Sequence, residues 1–142
     1  MKTTMAVSRS FALAVLLVAA MVACASREDK DVNRSNAAEI AEDNEALSQL
    51  RAAGSNLAKP HKVEFYLYVP SEAAAEAAAA AIRPLGYTVA VSAGEDETNW
   101  LCLSSRTMLP TIEEITVARS LFKGMALKYQ GAYGGWNTAI EH

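Results

Sequence analysis

Val63-Glu64-Phe65-Tyr66-Leu67-Tyr68-Val69-Pro70-Ser71, with the alanine-rich run at residues 72–82 behind it, decides how the 142-residue chain folds. Val63, Phe65, Leu67 and Val69 alternate with Glu64, Tyr66 and Tyr68, the period of two that marks a strand buried on one face. Pro70-Ser71 stops the strand, and Ser71 stands where a helix cap is needed. Residues 72–82 hold eight alanines among eleven, so the helix is favoured locally and is slim enough to lie close on a sheet. Pro84 disfavours continuing it past Ile82, and Gly86 completes the break.

Downstream the alternation returns. Tyr87, Val89 and Val91 share one side of a strand reaching Ser92, Ala93-Gly94-Glu95-Asp96-Glu97 forms a polar turn, and Thr98 to Ser105 comes back as a hairpin partner. Thr111 with Glu114 makes a capping box. Ile115, Ala118, Phe122, Met125, Ala126 and Tyr129 follow at helical spacing. Gly131 ends that helix, and Ala132 to Ile140 forms a last strand through Tyr133 and Trp136, loosened by Gly134-Gly135. The order from Val63 is strand, helix, strand, strand, helix, strand. It predicts an α+β chain with the ferredoxin-like βαββαβ pattern, a two-layer sandwich of one antiparallel sheet and two helices. Upstream, Asn36 with Glu39 predicts a capped helix over 37–53, with a thin apolar stripe of Ile40, Leu47 and Leu50 before Gly54. This is an extra N-terminal helix on a domain spanning 36–142.

The first residues are of another kind. Lys2 and Arg9 accompany thirteen consecutive apolar residues, Phe11 to Ala23. That is the length of a signal-peptide core and short of the roughly 20 residues a spanning helix needs. The run ends Met21-Val22-Ala23-Cys24, which resembles the lipobox of bacterial lipoproteins, with Met21 in place of the usual Leu. Residues 1–23 are thus expected to be a signal peptide and Cys24 the lipidated first residue of the mature chain. More than one acyl chain gives stable attachment. Ala25 rather than Asp after the cysteine favours the outer membrane, and the domain is expected on the periplasmic side of the cell envelope. Residues 24–35 are polar and of mixed charge, and read as a flexible tether.

Losing Lys2 and Arg9 moves the formal charge from −3 to −5. An acidic surface without a basic run repels phosphate backbones, so direct nucleic-acid binding is not expected. Catalysis lacks its ingredients. No spacing suits a metal, His61 reads as a solvated loop residue beside Pro60, and Ser92, Ser104 and Ser105 have no base nearby. Glu113 and Glu114 diverge by about 100° on a helix. No cofactor is expected. Cys102, left alone once Cys24 takes lipid, reads as a small packing residue. The aromatic residues stand out instead. If the odd residues of the first strand face the helices, Tyr66 and Tyr68 face away, and Trp100 and Cys102 are expected beside them, with Leu101 and Leu103 turned inward. Tyr66, Tyr68 and Trp100, with Trp136 from the edge strand, form the expected surface for a protein partner of unknown identity. Cover by the N-terminal helix, or a homodimer pairing over this face, is the alternative.

From about Leu47 to Ala139 the chain resembles the regulator of ribonuclease activity B family, the ribonuclease E inhibitor proteins (RraB). Gly54-Ser55-Asn56-Leu57-Ala58-Lys59-Pro60 leading into Val63 to Pro70 is similar to the family's first strand and its approach. Trp100 to Met108 resembles its third strand, and Gly131 to Ala139 its closing segment. Gly134 stands where the family has an acid, and Pro84 interrupts the end of the first helix. The resemblance implies a compact acidic ferredoxin-like protein that restrains RNA decay by binding ribonuclease E, without catalysis. A lipoprotein outside the cytoplasm would not meet that nuclease, so the resemblance carries the fold further than the partner.

Overall fold

A computed structural model describes the backbone of residues 10–142 and the side chains from residue 29 onward. The chain divides into two units, Met1–Glu39 and Ile40–His142. Helix α1 (Ser10–Ala52) is followed by β1 (His61–Val69), α2 (Glu72–Ile82), β2 (Thr88–Ala93), β3 (Trp100–Met108), α3 (Ile112–Lys128) and β4 (Ala132–Thr138). The sheet order is β2-β3-β1-β4 and every neighbouring pair is antiparallel. This is the α+β, ferredoxin-like two-layer sandwich, with β1 and β3 at its centre.

Local chemistry sets the element ends. The Ser71 side chain accepts the Ala74 amide at 3.1 Å and the Thr111 side chain the Glu114 amide at 3.3 Å, each quieting an orphan N–H of a helix start. A 3₁₀ turn at Arg83–Leu85 closes α2, and Gly86 takes φ +92 behind it, a left-handed conformation that glycine adopts without strain. The core lies between the odd residues of β1 and the two helices. Phe65 stacks on Phe122 with ring centroids 4.9 Å apart, and Tyr87 meets both rings edge-on. Ala75, Ala78 and Ala79 bring α2 down onto this layer.

In three places the structure departs from expectation. The helix predicted from Ala37 has no start there: residues 29–36 are already helical and exposed within α1, so Asn36 lies inside the helix and not at its N-cap, and the segment expected as a polar tether is helix. Residues 10–52 contain neither Gly nor Pro, and an Asp31–Arg34 pair at 3.8 Å sits one turn apart, so nothing in the chain interrupts the helix. Second, His61 is not a solvated loop residue. It opens β1 on the odd, inward parity and is fully buried. Third, β3 is turned over. Val69 pairs with Trp100, Leu67 with Cys102 and Phe65 with Ser104, so Trp100, Cys102 and Ser104 share the core side while Leu101 and Leu103 lie on the other. Apolar residues on both parities of Trp100-Leu101-Cys102-Leu103 leave the choice to register.

In β4 a bulge corrects a parity problem. Gly135 pairs with Tyr66 and Tyr133 with Leu67, leaving Gly134 as the extra residue, and Gly135 takes φ +106. Tyr133 and Trp136, three residues apart, therefore both pack against the core.

Candidate functional site

The face of the sheet turned away from α2 and α3 is built by the even residues of β1 and the odd residues of β3. Register places Tyr66 opposite Leu103 and Tyr68 opposite Leu101, and all four are half-buried. Beside them β2 contributes Thr88, Ala90 and Ser92, and β4 contributes Ala132, Gly135 and Asn137. Small flanking residues leave the four large side chains as a central apolar ridge. Tyr68 leans over Gly134 so closely that a Cβ there would come within 2.6 Å of its ring. Gly134 is thus the floor on which this tyrosine rests. Lys62 and Glu64, 3.8 Å apart, mark one end of the ridge.

Of the residues expected at the surface, Tyr66 and Tyr68 lie on this face. Trp100 and Trp136 do not. Trp100 packs against the core beside Val69, and Trp136 pairs with Phe65 and donates its indole N–H to Asp43 Oδ1 at 2.9 Å. The side chain of Cys24 lies outside the described residues. Leu101 and Leu103 were not expected here. The clue was the hairpin: with Val89 and Val91 inward, their partners Ser104 and Cys102 must be inward too.

Two further constellations were hidden in the sequence. Asp43, in the apolar stripe of α1, is ion-paired to Arg119 of α3, and the two residues are 7% and 3% exposed. The other is a buried Ser55–His61 contact, Oγ to Nε2 at 2.7 Å, which has the spacing of a nucleophile and its base. Its remaining bonds give it a different role. Nδ1 faces the Lys59 carbonyl at 2.8 Å and must donate to it, so in neutral His61 Nε2 accepts the serine proton. Ser55 Oγ in turn accepts the Glu141 N–H at 3.1 Å, and Asn56 N–H donates to the Glu141 carbonyl at 2.6 Å. Together they clasp the segment after β4 to the segment before β1. A cleft of about 700 Å³ adjoins it, lined by Asn44, Leu47, Arg51, Ser55, Pro110 and Thr111.

Burial raises the Cys102 thiol to about 11, with Glu76 adding to the effect and Arg83 opposing it, so the thiol stays protonated and unreactive at neutral pH. Among the described residues no group of three His, Cys, Asp or Glu side chains could hold a metal ion. Nor is any helix there long and apolar enough to cross a membrane.

An antiparallel sheet with two helices on one side and an apolar ridge on the other defines a small α+β module of the ferredoxin-like class. The sequence model of the family described as regulator of ribonuclease activity B matches residues 40–138, and the chain belongs to that family. A comparison with curated proteins finds no match.

Proposed function

We propose that the chain is a non-catalytic regulatory module that binds a protein partner through the ridge of Tyr66, Tyr68, Leu101 and Leu103, and that lipid on Cys24 holds it at the outer membrane, facing the periplasm. The observation that carries the binding half is this ridge, left uncovered by α2 and α3. Large apolar and aromatic groups gathered at the centre of a surface, with small neighbours around them, supply contact area at low entropic cost. The family's name supports a regulator of ribonuclease activity, and the apolar run ending Val22-Ala23-Cys24 supports the anchor. The second reading, favoured by a family match spanning nearly all of the folded domain, is a cytoplasmic regulator that inhibits ribonuclease E.

Two measurements separate these readings. Labelled palmitate should enter the wild type and not Cys24→Ser, and the wild type should fractionate with membranes. Equal labelling of both, with the chain in the cytoplasm, removes the anchor and leaves the second reading. For the surface, cross-linking and pull-down should lose the partner when Tyr66 or Leu103 becomes Ala, by ~2 kcal/mol for a hot spot, with melting temperatures nearly unchanged. Trp100→Ala should instead lower the melting temperature, because Trp100 packs on the core. Undiminished capture by folded Tyr66→Ala and Leu103→Ala chains would reject the ridge. Purified ribonuclease E assayed on RNA with the added chain tests inhibition directly.

A further inference from the structure

The two edges of the sheet are unlike. β4 carries the Gly134-Gly135 bulge, and Leu50 and Ala53 of the α1 end line a pocket with its Trp136 and Thr138. β2 is straight and uncharged, Thr88-Val89-Ala90-Val91-Ser92-Ala93, with no Pro and no bulge. Natural edges are normally blunted by charge, Pro or a bulge, because a bare edge invites another strand.

The hydrogen-bond phase of that edge follows from two contacts. Gly94 N–H donates to the Asn99 carbonyl at 2.8 Å. Gly94 and Asn99 continue the β2–β3 register, so the even residues of β2 spend their backbone groups on β3. Val89, Val91 and Ala93 therefore aim theirs outward. Accordingly, Arg83 Nη2 reaches the Val89 carbonyl from outside, at 3.4 Å.

We propose that this edge pairs with the same edge of a second copy of the chain, antiparallel, about a two-fold axis at Val91. In that register Val91 meets its own copy and Val89 meets Ala93, so every outward group finds a partner and both copies use one patch, as a closed dimer requires. Charge argues for a second copy over another extended segment. The acidic turn Glu95-Asp96-Glu97 of each copy runs alongside residues 85–87 of the other. There Arg83 is close in sequence and Arg106 lies over the Tyr87 ring, 4.9 Å from its centroid. Both ends of the pair thus set acid against base, and Arg83 exchanges a long bond to a carbonyl for carboxylate partners. The two apolar ridges then lie on one side of a continuous sheet.

Ala90 and Ser92 face each other across the axis as a non-hydrogen-bonded pair, with Cα atoms about 4.5 Å apart, within disulfide reach. Mild oxidation of the full-length chain carrying Ala90→Cys and Ser92→Cys should give a band of twice the monomer mass under non-reducing conditions. The wild type, which retains Cys24 and Cys102, and Thr107→Cys on β3 should show no such covalent band and run at the monomer mass. In that double-cysteine chain, Arg83→Glu should abolish the dimer band, and adding Glu95→Lys should restore it, thermal melts being unchanged. A chain that stays monomeric, a band containing a different protein, or a charge exchange that fails to restore the dimer overturns this pairing.

Discussion

Cys102 and Ser104 are neighbours on the core side of β3 and differ in what burial does to them. Cys102 Sγ donates to the Ala75 carbonyl at 3.4 Å, and burial lifts its pKa from 9.0 to about 11. Between those values the unfolded chain gives up a proton that the folded chain keeps, so stability falls as pH rises through that window and then levels. Cys102→Ser should remove this alkaline slope in a series of denaturant melts. Wild-type Cys102 should take up an alkylating reagent at pH 8 only after unfolding. Ser104 Oγ is buried with no hydrogen-bond partner. An unsatisfied buried hydroxyl costs about 1–3 kcal/mol, so Ser104→Ala should leave stability unchanged or raise it, measured by chemical denaturation. At this scale the sequence was readable where parity was unambiguous. His61 belonged to the same odd series as Val63, Phe65, Leu67 and Val69, but Pro60 beside it disguised the strand's first residue as loop. Only the Ser55 and Lys59 partners, brought in by the fold, make a buried imidazole tolerable.

Among the elements, α1 and β1 carry the sharpest expectations. Phe65→Ala removes a fully buried ring stacked on Phe122 and should cost roughly 3–5 kcal/mol, since the sheet cannot collapse into the cavity. A loss below about 1 kcal/mol would contradict its inward placement. Asp43→Ala should cost about as much, ~3–5 kcal/mol, because it leaves the buried Arg119 guanidinium without this carboxylate. The Trp136 indole loses its acceptor as well, so the fluorescence of this variant should shift before global unfolding as the last turns of α1 come away from α3 and β4. The helices after Ser71 and Thr111 were legible from caps and spacing. The beginning of α1 was not, because a capping-box pattern at Asn36 and Glu39 can also occur inside a longer helix when no Gly or Pro breaks it. Nor did the stripe of Ile40, Leu47 and Leu50 announce that its fourth member was a carboxylate, whose partner lies 76 residues away.

For the molecule as a whole, the order of periods gave away the sandwich, since few topologies accommodate that succession of elements. Half of the ridge was legible as well, through Tyr66 and Tyr68. The other half depended on the register between strands distant in sequence, which flips every side chain when it moves by one residue. That same distance has a consequence in time. β1 sits at the centre of the sheet, yet its neighbours are β3 and β4 and not the strand that follows it. As the chain leaves the ribosome, β1 must wait for residues 100–108 to gain one side and for residues 132–138 to gain the other. Non-local pairings of this kind slow folding, because loop closure precedes any reward. A β2-β3-β1 sheet can therefore assemble first, with β4 completing it later. Until then, the side of β1 that β4 covers keeps its backbone groups unpaired.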